Sequence, residues 1–114
     1  MAVHCGFGLT LERKTPMNTQ KLADLYRSMF RIREFENAAE IASQGGVAAW
    51  GLAASAKPAL VRGPLHLSTG QEAVAAGVCH ALTKEDMLTS THRGHGHTLA
   101  KGADATKMMC ELSV

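Results

Sequence analysis

Thr89 to Gly102 reads TSTHRGHGHTLAKG, three histidines and one arginine spread among three glycines. The residues around it decide what kind of fold it belongs to. Just before it, MLTS (Met87–Ser90) reads as a short strand. Just after it, Asp104 stands where it can cap a helix holding Met108, Met109 and Leu112. A strand, then a glycine-rich loop, then a helix is how an α/β domain opens.

Upstream the pattern is helical. From Thr19, the residues Leu22, Leu25, Met29, Ile32, Phe35, Ala39 and Ala42 step by three or four and draw one apolar stripe. Lys21, Asp24, Arg27, Arg31, Glu34 and Glu40 fall largely off it. Asn18 is the expected N-cap, Met17 can staple onto Leu22, and Gly45-Gly46 is the expected stop. A second helix is written in HLSTGQEAVAAGVCHAL (His66–Leu82). There, Thr69 and Glu72 have capping-box spacing, and Val74, Val78 and Leu82 form the expected apolar face. TKED (Thr83–Asp86) then turns the chain. Residues 1–17 show no period and read as an arm, and the Ala- and Gly-rich stretch from Gly46 to Pro64 fixes no element.

Composition narrows the class. The chain has 114 residues, which is one small domain or part of a larger one, with 46% apolar residues and a formal charge of +2. Ala, Leu, Val and Met supply most of the apolar content, beside Trp50, Tyr26 and three Phe, so a self-contained core would be thin. No basic block points to nucleic acid or an anionic membrane. No apolar run is long enough to cross a bilayer, and the first residues do not read as a signal peptide. Cys5, Cys79 and Cys110 are odd in number and lack CxxC spacing, which suits a reducing compartment, with the cytoplasm as the default expectation.

Two chemistries compete for the loop. His92, His95 and His97 are three metal-binding side chains, but H-x-x-H-x-H aligns on neither a helix nor a strand face, and the loop holds no carboxylate. An anion fits better. Gly94 and Gly96 let backbone N–H groups approach a phosphate, and Arg93 adds a permanent charge and a planar fork. The spacing matches neither a Walker A nor a dinucleotide fingerprint. On composition alone, a solvated polar turn is the plainest reading.

Beyond those patterns, LHLSTGQEAVAAGVCHAL followed by MLTSTHRGHGHTLAKG and MMCEL, with the helix LYRSMFRIREFENAAEIASQG ahead of them, resembles a known family. It is the alpha subunit of the thiamine-diphosphate-dependent component of 2-oxo acid dehydrogenases, which includes pyruvate, branched-chain and acetoin dehydrogenases. The resemblance implies an α/β thiamine-diphosphate-binding fold, mostly helical in this portion. It also implies cleavage of a small 2-oxo acid or acetoin next to its carbonyl, with transfer of the acyl group to a lipoyl-bearing acyltransferase. The cofactor would supply the electron sink. The implied site places His66 as an active-site histidine near the reacting end of the cofactor, and His92 with Arg93 at its diphosphate. The resemblance also implies that His95 would lie nearby and order the loop. The family often carries tyrosine at the position of His92. Gln71 and Glu72 read as capping and hydrogen-bonding residues.

Two features depart from that family. Residues 46–63 are longer than its usual link and read as an insertion. The sequence also ends at ELSV, ahead of the glycine-rich G-D-G…N segment that holds magnesium and diphosphate. The carboxylate that activates the cofactor belongs to a beta subunit. Residues 18–114 are therefore expected to be an incomplete domain, inactive alone and dependent on a beta-subunit partner. The rival expectation is a non-catalytic module that uses the histidine loop for a metal or an anion.

Overall fold

The apolar stripe and its cap form the helix they predict. A computed structural model describes residues 18–44 and 58–113, and α1 runs Thr19–Ser43 within it. The Asn18 side chain accepts a hydrogen bond from the Lys21 N–H at 2.8 Å, which satisfies one donor that the first turn would otherwise strand. Ile32, Phe35 and Ala39 are buried, whereas Leu22, at the start of the stripe, is 54% exposed. Gln44 closes the helix by donating to the Ile41 carbonyl at 3.3 Å. The expected staple by Met17, the stop at Gly45-Gly46, the arm 1–17 and most of the insertion lie outside the described residues. Toward the end of the insertion the chain returns to α1, where the Leu60 and Val61 N–H groups both donate to the Ala42 carbonyl at 2.9 and 3.1 Å.

The second helix, α2 (Glu72–Ala81), starts later than the capping box predicts. Gly70 adopts φ +87°, a left-handed conformation that interrupts any helix beginning at Thr69. Thr69 is therefore not the cap. Glu72 still reaches back, but to the Gly70 N–H at 3.0 Å. The expected apolar face is also wrong. Val74 and Val78 are exposed, and the buried face is Glu72, Ala75, Ala76 and Cys79. These small side chains let neighbouring backbones approach closely, and that closeness replaces the larger area a valine face would offer.

The loop itself ends in a helix the sequence did not announce. α3 spans His95–Ala100, and α4 (Ala105–Leu112) comes after it with Asp104 as its expected cap, accepting from the Lys107 N–H at 2.9 Å. No strand forms among the described residues, and Met87–Ser90 is irregular. A strand needs a hydrogen-bonding neighbour, and here the segment has none among the described residues. The described part of the expected α/β fold is thus four helices.

α1, α2 and α3 pack mutually around Ile32, Phe35, Ala39, Ala75 and Leu99, with Leu65, Leu67, Met108, Met109 and Leu112 around that centre. Fully burying a side chain such as Ile32 is worth about 1.5–3 kcal/mol. Gly96 on α3 packs tightly against both other helices. A Cβ there would lie 3.2 Å from the Ala75 Cβ and 3.4 Å from the Ile32 Cγ2.

Candidate functional site

The segment entering α2 and the loop entering α3 lie side by side, although about 25 residues separate them in sequence. Three hydrogen bonds stitch them together. The Arg93 guanidinium donates to the Leu67 carbonyl, the Ser68 hydroxyl donates to the Arg93 carbonyl at 3.3 Å, and the Gly96 N–H donates to the Ser68 Oγ at 3.4 Å. Ser68 is buried, so its hydroxyl is spent on the two loop contacts, as a buried polar group requires. The fold thereby brings His66 against His92, with ring centroids 4.7 Å apart and planes at 72°, an edge-to-face contact. Both imidazoles are exposed, and Arg93 is half-buried beside them.

Three residues farther on, the loop turns inward. The His95 ring stands edge-on to Phe35 at 5.7 Å, and its Nδ1 lies 3.2 and 3.3 Å from the two oxygens of Glu36. Glu36 is wholly buried. Thr98 then fastens the first turn of α3, its N–H and hydroxyl both reaching the Gly94 carbonyl at 3.0 Å. His66, His92, Arg93 and His95 thus all lie along the seam between two segments, with His66, His92 and Arg93 on its open side. His92, His95 and His97 do not converge. Among the described residues no group of three or more His, Cys, Asp or Glu side chains is placed to hold a metal ion.

Below the seam, Arg33 on α1 meets Glu72 on α2 at 2.5 Å. The hydrogen bond from Arg33 holds the Glu72 carboxyl down to about 2, against its burial. On the far side of α3, Lys101 donates to the carbonyls of Thr83, Lys84 and Asp86 at 2.6, 3.3 and 2.9 Å. The turn it grips is closed by Asp86, which accepts from the Thr83 N–H at 2.7 Å and hydroxyl at 2.9 Å. Those two bonds lower the Asp86 pKa. Burial raises that of the Cys79 thiol, which makes it a poor nucleophile. The chemistry the seam offers is accordingly that of a half-buried guanidinium beside two exposed imidazoles, suited to an anionic ligand.

Sequence reasoning passes over Glu36, Arg33 and Ser68. Glu36 has a signal, since it stands four residues after Ile32 and three before Ala39, on the stripe itself. Arg33 and Ser68 act across sequence distances that a single chain does not display.

Comparison with known proteins decides the family. The model of the dehydrogenase E1 component family matches residues 51–114, more than half of the chain. The chain belongs to the dehydrogenase E1 component family. The alpha subunit of acetoin:2,6-dichlorophenolindophenol oxidoreductase of Bacillus subtilis is 40% identical over 97 residues, 84% of this chain and 25% of that protein. The subunit of the same name in Cupriavidus necator is 36% identical over 97 residues, 85% of this chain and 25% of its own length. The mitochondrial pyruvate dehydrogenase E1 component subunit alpha of Saccharomyces cerevisiae is 35% identical over 91 residues, 80% of this chain and 19% of that protein. This E1 chain therefore spans a quarter or less of the length of these relatives. No solved structure matches it. Among the described residues, no helix is long and apolar enough to cross a membrane.

Proposed function

We propose that the seam is part of the cofactor site of a thiamine-diphosphate-dependent dehydrogenase alpha subunit acting on a 2-oxo acid or acetoin. The observation that carries this reading is the meeting of His66 with His92 and Arg93 across the two stitched segments. A diphosphate needs fixed positive charge and donors, and Arg93 supplies both in a planar fork. His92 stands next to it, His95 secures the loop behind it, and His66 lies on the rim where a reacting group can approach. The donor set therefore fits the diphosphate end of the cofactor. When bound, thiamine diphosphate supplies a nucleophilic carbon and an electron sink. The chain's part is to bind, to orient and to help exclude water. Magnesium ligands are not among the residues gathered at the seam, the activating carboxylate is assigned to a beta subunit, and a lipoyl-bearing acyltransferase is the expected acyl acceptor. Beside a partner strand in the assembled enzyme, Met87–Ser90 would pair. The unpaired Cys79 and Cys110 suit a reducing compartment, the cytoplasm in this reading.

The test is to co-express the protein with the beta subunit of a related acetoin or pyruvate dehydrogenase. Thiamine diphosphate with magnesium is then titrated in, and reduction of 2,6-dichlorophenolindophenol is measured with acetoin or pyruvate. Cofactor binding and dye reduction with one of the two substrates are expected. An assembled complex that takes up no thiamine diphosphate would favour a non-catalytic anion-binding module instead.

A further inference from the structure

We infer that Glu36 is a positioning residue, which holds the hydrogen of His95 on Nδ1 and so anchors the cofactor-facing loop to α1 from inside the core. Glu36 is fully buried, and its Oε1 has no hydrogen bond among the described residues, while Oε2 is 3.3 Å from the His95 Nδ1. A buried carboxylate without such partners is strongly destabilising, so its survival in the core points to a specific task. Both oxygens sit at nearly equal distance from the one nitrogen, 3.2 and 3.3 Å. A hydrogen on Nδ1 bonds Oε2 and also places its positive end close to Oε1. A hydrogen on a carboxyl oxygen would serve the nitrogen alone and leave the other oxygen with no donor.

The geometry around the pair fits an anchor. Phe35, adjacent to Glu36 on α1, takes the edge of the same imidazole, which leaves the ring little freedom to turn. Gly96, the next residue after His95, is pressed against Ile32 and Ala75, so the loop's inner turn is held at two successive positions. Arg93 stands two residues before His95, and fixing one restricts the other. With Nδ1–H committed inward, His95 orders the loop from its inner side and supports the placement of Arg93 at the diphosphate. This last step rests on the function proposed above. The Glu36–His95 pairing does not.

The experiment reads tautomers directly. Long-range 1H–15N spectra of the 15N-labelled full chain at neutral pH, with His95→Asn used for assignment, should show a protonated His95 Nδ1. Glu36→Gln keeps the shape and one acceptor oxygen and should keep that signature. Glu36→Leu fills similar space without an acceptor and should move the hydrogen to Nε2, the usual preference of a free imidazole. A wild-type His95 protonated on Nε2 alone, or a signature unchanged in Glu36→Leu, overturns the inference. In the assembled enzyme, Glu36→Leu should weaken thiamine diphosphate binding about tenfold, the weight of one hydrogen bond, while Glu36→Gln binds nearly as the wild type does. A wild-type complex that binds no cofactor would sink the functional reading and leave the tautomer result to decide the pairing.

Discussion

The two ends of one short loop live in opposite environments. His92 is exposed and touches another exposed histidine, His66, whereas His95 and Gly96 are pressed against α1 and α2 with a buried carboxylate beneath them. Three histidines that look alike in sequence therefore do different work. One faces the solvent rim, one is tied to Glu36, and the third, His97, keeps a buried Nδ1 with no hydrogen bond among the described residues. A rim of this kind is free to bind because the inner side is fixed. Changes on the inner side should cost stability, and changes on the rim should cost binding.

Ile32→Ala is the harshest way to break this contrast. Ile32 is wholly buried, and a large-to-small change there should destabilise by about 2–5 kcal/mol in urea unfolding monitored by helical circular dichroism. A loss below about 1 kcal/mol would mean that the inner side is not a packed core. Arg93→Ala tests the other side. It removes the stitch to the Leu67 carbonyl, so the urea midpoint should fall modestly, less than in Ile32→Ala, while thiamine diphosphate binding weakens by about 1.5–3 kcal/mol in calorimetry of the assembled enzyme. Lysine should restore only part of the loss, since it keeps the charge without the fork. Equal affinity in Arg93→Ala would remove Arg93 from the diphosphate.

Gly96→Val sharpens the picture where the helices meet. The added Cβ alone comes within 3.2 Å of Ala75 and 3.4 Å of Ile32, so overpacking should cost about 1–3 kcal/mol. Acid should expose a further inner contact. The Glu72 carboxyl is held near 2 in the fold, below its ordinary 4.5. Its folded value is the lower one, so its contribution is complete above 4.5 and is lost as the pH falls toward 2. The unfolding midpoint should decline through that window, and less steeply in Glu72→Gln. The smallest effect belongs to Met87, which is 96% exposed, and Met87→Ser should change the stability of the chain by less than about 0.5 kcal/mol.

Legibility in the sequence depends on where the forces are local. The helices α1 and α4 are readable, with Asn18 and Asp104 as their caps, because periodicity and a capping oxygen act within a few residues. The helix α3 is not. HGHTLA has two histidines, a threonine and a glycine, all weak helix formers, and its helix exists because Gly96 and Leu99 pack on α1 and α2. The buried face of α2 misleads because valine outweighs alanine by area, while close approach selects Ala75, Ala76 and Cys79. The expected Met87–Ser90 strand does not form in this chain because strand formation depends on a neighbour. For the site, His66, His92, Arg93 and His95 can be picked out by resemblance, and their meeting along one seam is what the fold adds. Glu36 escapes a reading from sequence because a glutamate in a helix is ordinarily solvated.

The grip of Lys101 on three carbonyls of the Thr83–Asp86 turn bears on assembly. It fixes one end of Met87–Ser90, and the loop stitched to Leu67 and Ser68 fixes the other. A tethered segment samples far fewer conformations than a free one, so the entropy cost of the strand pairing proposed above would already be reduced. Association should then be limited by encounter more than by ordering. Acetylating the Lys101 amine, which removes the charge that gathers those carbonyls, should slow that docking while leaving α1 and α2 intact.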